Sequence, residues 1–190
     1  TTLANVLETL MQLLSGMIVS LLLLPFVTNV ETAQIWLLIG GIGLSAVILH
    51  PKIIRWILRK FGQDRYVDSL SYKRILIWLL CYFPIWGIGG LILYLTLSAL
   101  TPLSLSLLPA CIGAWSIAGV GGMLIILLPS GLGVAEATLS LLLSTHVSSS
   151  IAVTGAILLR IIMTGFEFLF SGIVFLLRKP LGLKEPINPE

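Results

Sequence analysis

Charge is the scarcest ingredient of this 190-residue chain. Asp, Glu, Lys and Arg make up 10% of it and hydrophobic residues 57%, whereas a soluble globular domain carries about 25% charged residues. That deficit excludes a soluble protein. Cysteine is nearly absent as well: Cys81 and Cys111 fall in different predicted spans, towards opposite membrane faces, so no disulfide is expected. The sequence lacks the His-Glu-x-x-His and Gly-x-Ser-x-Gly motifs, the Gly-Lys-Ser/Thr element of a phosphate loop, and cysteine pairs at metal spacing. No metal, cofactor or catalytic constellation is therefore expected, and whether the chain belongs to an enzyme stays open. A nucleic-acid partner is not expected either, because the basic residues flank apolar segments. No basic stretch precedes the first apolar run, as a signal peptide would require. The start, Thr1-Thr2 without a Met, reads as that of a fragment or a processed piece.

What the chain has is apolar sequence, with a mean hydropathy of +1.09. At about 20 residues per spanning helix, its length accommodates roughly six spans and no separate soluble domain. The expectation is an all-α, polytopic membrane protein. A single transmembrane helical domain covers residues 1–180, and 181–190 form a polar, proline-containing tail.

The first span is predicted over 8–28. It is amphipathic at Glu8, Gln12, Ser15 and Gly16 and continuously apolar from Ile18 to Leu24. A second covers 33–49, with Trp36 at its start as interfacial aromatics are placed, and ends at His50-Pro51. An amphipathic helix follows at 52–61. At 100° per residue Lys52, Arg55, Arg59 and Lys60 share one sector, opposite Ile53, Ile54, Ile57, Leu58 and Phe61. Such a helix lies in the interface, either as an ordinary connector or with its cations against anionic head groups.

Residues 50–74 carry seven basic and two acidic side chains, which makes this loop cytoplasmic by the positive-inside rule. The third span, 74–99, is interrupted by Pro84 and several glycines, so a kink is expected. The fourth, 107–128, carries Ala114, Ala118 and Gly122 every fourth residue, a stripe that lets another helix approach closely. A last helix, 151–177, ends in Arg178-Lys179-Pro180 and places the C-terminus in the cytoplasm.

Between the fourth span and the last helix lies the stretch with the most chemistry. Pro129, Ser130, Gly131 and Gly133 break the backbone, and Glu136 follows at once. Irregular backbone at membrane depth is tolerated only where protein or a water-filled cavity satisfies it. The apolar segment after the break is only about 11 residues, too short to span about 30 Å of hydrocarbon, so 129–136 is a broken or re-entrant helix. Glu136, Arg160 and Glu167 are the three charges inside apolar sequence, and each costs at least about 2.5 kcal/mol at the bilayer centre unless paired or hydrated. Arg160 and Glu167 are seven residues apart and share a helix face. Packing of the short helix on the last one brings Glu136 to Arg160. Three roles remain open for that pair: a buried pair that fixes packing, the lining of a groove for a lipid head group, or a proton relay at Glu136. His146 reads as a loop histidine.

The same residues carry a resemblance. Leu128-Pro129-Ser130-Gly131-Leu132-Gly133-Val134-Ala135-Glu136-Ala137 resembles the Pro-Gly-Gly-Leu-Gly-Val-Arg-Glu-Ala signature of the lysylphosphatidylglycerol synthase transmembrane region, the flippase-like membrane protein family. Asn5-Val6-Leu7-Glu8 and Leu158-Leu159-Arg160 are similar to two further segments of that family, and His50-Pro51 with its basic helix sits at the corresponding place. Ser130, Ala135 and Thr9 depart from the pattern, the first from a glycine and the other two from arginines. On this resemblance the chain looks like the later two-thirds of a member.

The resemblance implies lipid handling in the cytoplasmic membrane. It suggests binding and flipping of an anionic or aminoacylated phospholipid or a polyprenyl-linked lipid, with Glu136, Arg160, Glu167 and the Pro129–Gly133 loop at the head group. The alternative is a membrane subunit of an aminoacyl- or glycosyl-lipid transferase whose catalytic domain lies elsewhere. An ion-coupled solute transporter would require a second broken helix in an inverted repeat, for which 84–90 is a weak match. Membrane lipids are the expected partners, with self-association left open.

Overall fold

The computed structural model describes residues 2–28, 52, 72–124 and 133–178, and among these every regular element is helical. Four helices are long and apolar enough to cross a membrane: α1 (Thr2–Val27), α2 (Tyr72–Ser98), α3 (Leu108–Leu124) and α5 (Ser149–Arg178). A fifth, α4 (Val134–Leu143), has ten residues, about 15 Å at 1.5 Å per residue. The chain is thus a multi-pass helical membrane protein. The predicted second span, 33–49, lies outside the described residues, as does the 52–61 helix apart from Lys52, which is helical and exposed. Against the expected six spans, the described residues hold four helices of spanning length and one short one.

Each boundary follows from local chemistry. Pro102 and Ser104 end the irregular link after α2. The Ser104 hydroxyl accepts from the Ser106 N–H at 3.3 Å and opens a 3-10 turn, Leu105–Leu107, that leads into α3. Pro109 then occupies the first turn of α3, where a missing N–H costs nothing. Pro84 sits inside α2, which continues through it to Ser98.

α3 is the element the others pack on: it touches α1, α2 and α4, while α5 packs against α4 and α2. Direction follows from which residues meet. A methyl at Gly113 would meet Val27 and Leu23, and one at Gly16 would meet Val120, so α1 and α3 are antiparallel. Gly90 lies on Ile112 and Gly119 on Trp86, so α2 and α3 are antiparallel too. Hence α1, α2 and α4 run one way and α3 and α5 the other.

Close approach without bulky side chains explains the packing. Ala114 and Ala118 of the predicted small-residue stripe are buried, and Leu93, Leu97, Cys111, Leu139, Leu143, Ala152, Ala156 and Leu159 close around them. Trp86 fills the space between Gly16 and Gly119. Its indole N–H donates to the Ser15 hydroxyl at 2.9 Å, and that hydroxyl donates to the Gln12 carbonyl at 2.8 Å. Both residues are buried, so this interhelical bond sits in a dry site where an unmade one would be costly.

The chain reversals gather at one end. His146 Nε2 lies 3.2 Å from the Val27 carbonyl. A carbonyl only accepts, so this is a hydrogen bond in the Nε2–H tautomer. It ties the α4–α5 link to the last turn of α1. Gly155 packs against Leu97 and Leu100 beside it. Cys81 is exposed and Cys111 buried, and both are free thiols.

Two neighbouring glycines of α2 should separate close approach from helix propensity. Gly90→Ala drives a methyl into the Ile112 backbone and should lower stability by about 1–3 kcal/mol. Gly87→Ala meets nothing within 4 Å and should be neutral or stabilising by up to about 1 kcal/mol. Thermal unfolding of both variants in detergent checks this; equal losses would contradict the α2–α3 contact.

Candidate functional site

The site begins at Gly133. Its φ of 86° and ψ of −37° lie where side chains are strained, and the position has open space around it. Glycine is needed there for its backbone, not for room. From this turn α4 starts, with its first helical bond from the Ala137 N–H to the Gly133 carbonyl at 3.0 Å. Glu136, in the first turn, reaches back so that its Oε2 accepts the Gly133 N–H at 2.7 Å. This is half of a capping box; the other half is impossible because Gly133 has no side chain to answer. The carboxylate also lies at the positive end of the helix dipole.

The other carboxylate oxygen faces α5. Oε1 of Glu136 lies 3.3 Å from Nε of Arg160, and the side chains keep 20% and 33% of their exposure. Both Glu136 oxygens are thus engaged. The Arg160 guanidinium makes this one contact among the described residues and keeps unused donors on its open side. Ser140 turns its hydroxyl onto the Glu136 carbonyl at 2.7 Å, and Leu139 and Leu143 bury the other side of α4.

Helix rise places the pair. Glu136 is seven residues before the end of α4 and Arg160 eleven after the start of α5. At about 1.5 Å per residue they lie roughly 11 and 17 Å from the end where the reversals gather. That is about half the thickness of a 30 Å hydrocarbon layer. The pair therefore lies inside the bundle, a little over a third of the way along α5 from that end.

Of the residues singled out from the sequence, Glu136, Arg160 and Gly133 come together. Glu167 lies further along α5, exposed and with no partner among the described residues. Pro129, Ser130 and Gly131, and the basic residues Arg55, Arg59 and Lys60, lie outside the described residues. No group of three or more metal-ligating side chains occurs among those described. Two features had no sequence signal: the Gly133 N–H as a partner for Glu136, and the His146 contact to α1. Spacing alone gave Gly133 as a helix breaker; its value as a donor appears only once the turn is closed. Neither a family model, nor a curated protein, nor a solved structure matches the chain.

The dual use of the carboxylate can be dissected. Glu136→Gln keeps an oxygen for the Gly133 N–H and removes the charge, whereas Glu136→Ala removes both. The Ala variant should be less stable than the Gln variant by about 1 kcal/mol, the usual worth of a helix cap. Denaturation in detergent reads the difference; equal stability would mean that the 2.7 Å bond contributes nothing.

Proposed function

We propose that this chain binds a membrane lipid by its head group and carries that head group across the bilayer, with the Glu136–Arg160 pair at the middle of the route. One observation supports the reading above the others. A guanidinium with unused donors stands on the open side of an ion pair, inside a bundle of apolar helices. A pair serving packing alone has its remaining donors covered as well, because uncovered ones are expensive in hydrocarbon. An arginine that keeps them open is suited to a phosphate, which accepts two parallel N–H bonds from a guanidinium.

The short α4 supports the same reading. Its ten residues, about 15 Å, do not by themselves cross a hydrocarbon layer of about 30 Å, so a crossing at that position calls for a thinned or water-accessible surround. The resemblance of Pro129–Ala137 to the flippase-like membrane protein family points the same way, and we place the chain there as a proposal. Six crossings fit this topology. α1 and α2 run in the same direction, which calls for a return crossing between them, where the sequence puts 33–49. The basic loop 50–74 and the C-terminus are then cytoplasmic by the positive-inside rule, in a cytoplasmic membrane. The basic residues Lys52, Arg55, Arg59 and Lys60 would lie at the head groups of that face.

The test is transbilayer movement of an acyl-chain-labelled phospholipid in proteoliposomes, read by quenching from outside. Arg160→Ala and Glu136→Gln should each slow movement on the order of tenfold, the equivalent of one lost charge-assisted hydrogen bond, at unchanged protein yield. Wild-type rates in both variants would remove the pair from the route.

A further inference from the structure

Beyond Arg160, α5 is mostly apolar and, apart from Met163 and Thr164, exposed: Ile161, Phe166, Phe168, Leu169, Phe170 and Phe175 all keep most of their surface. Its polar residues are not scattered among them. At 100° per residue, Arg160, Thr164, Glu167 and Ser171 fall within a sector of about 60°, and every residue between them is apolar or glycine. The stripe covers about 17 Å of helix at 1.5 Å per residue. Its order is cation, hydroxyl, anion, hydroxyl.

Elsewhere Thr96, Ser98, Ser116 and Ser140 each donate to the carbonyl one turn back, at 2.7–2.8 Å, which satisfies a hydroxyl inside an apolar helix. Thr164 and Ser171, like the buried Ser20 and Thr28 hydroxyls, make no hydrogen bond among the described residues, and Glu167 makes neither a bond nor an ion pair. By helix rise Thr164 lies about 22 Å from the start of α5, and Glu167 and Ser171 about 27 and 33 Å, at the far edge of a layer of about 30 Å. The stripe thus leads from Arg160 towards that edge and is open to a polar partner from outside the described chain.

A second copy is a poor partner. Copies in a membrane are related by an axis along its normal, so neighbouring α5 helices would run parallel. A stripe facing its own copy would set Glu167 on Glu167 and Arg160 on Arg160, like charges in a medium that magnifies their repulsion. A lipid head group has no such difficulty.

The geometry points to the α5 stripe as the track along which that head group moves, and we propose that its substrate is a zwitterionic phospholipid whose head group carries both a phosphate and an ammonium. This rests on the lipid-translocation reading above. Arg160 receives the phosphate with its unused donors. Glu167, two turns on, receives the ammonium, and Thr164 and Ser171 serve either charge between these stations. A head group with only negative charge would be repelled at Glu167.

The experiment uses the full chain in proteoliposomes with phosphatidylethanolamine and phosphatidylglycerol bearing the same acyl-chain fluorophore. Wild type should move the ethanolamine lipid faster, on the order of tenfold, as expected for one charge-assisted contact. Glu167→Gln should remove that preference by slowing the ethanolamine lipid alone, and Glu167→Lys should reverse it in favour of the glycerol lipid. Thr164→Val with Ser171→Ala should slow both. Glu167 and Ser171 are exposed, so folding is expected to survive, and thermal unfolding of each variant confirms it. Equal wild-type rates for the two lipids, or an unchanged preference in Glu167→Gln, would overturn the track while leaving translocation intact. No movement of either lipid by wild type would overturn both readings. Efficient disulfide dimerisation of Ser171→Cys in a Cys81→Ser background would overturn the track in favour of a subunit interface.

Discussion

An ionised carboxylate and a guanidinium, 3.3 Å apart on two apolar helices, set the terms for this part of the molecule. Either charge alone at that depth costs several kcal/mol; together they offset each other in a medium of low dielectric constant. Glu136 can serve only if α4 starts where it does, because the same carboxylate closes the first turn on Gly133. α4 can start there only if the backbone turns through a conformation that glycine tolerates. The pair, the cap and the turn form one unit. Loss of the turn would move the carboxylate away from Arg160, and loss of the carboxylate would leave an unpaired cation and an open helix end.

The rest of the bundle holds that unit in place by close packing. In lipid there is little hydrophobic force between helices, so contact area and the few interhelical hydrogen bonds decide how they associate. α3 presents glycine and alanine to three neighbours, and Trp86 is inserted where two glycines leave room. The His146 contact fixes the end of α1 to the link that turns α4 into α5. The depth of Arg160 is then a matter of counting residues down a helix whose upper end is anchored.

Much of this was legible in the residues. The predicted spans 8–28, 74–99, 107–128 and 151–177 correspond to helices at Thr2–Val27, Tyr72–Ser98, Leu108–Leu124 and Ser149–Arg178, because continuous apolar sequence bounded by proline, glycine and charge has few other solutions in a bilayer. The 11-residue segment after the break became a helix of ten residues. The Glu136–Arg160 contact was legible because two opposite charges in apolar sequence have few alternatives to meeting. Contacts between distant residues without such a constraint were not legible. Trp86 with Ser15 and His146 with Val27 join residues 71 and 119 positions apart, and nothing local marks either partner. The position of α4 along the bundle depends on the reversal at Ser144–Ser148, which tertiary packing decides.

The claim on which this account depends is that Glu136 and Arg160 interact energetically within the bilayer. A double-mutant cycle in bicelles tests it directly, with Glu136→Ala, Arg160→Ala and both together followed by reversible unfolding. The lost Gly133 cap is common to both variants carrying Glu136→Ala, so it cancels. The account predicts a favourable coupling of at least about 1 kcal/mol, with the double variant less destabilised than the sum of the singles. Additive losses, agreeing within about 0.3–0.5 kcal/mol, would contradict it.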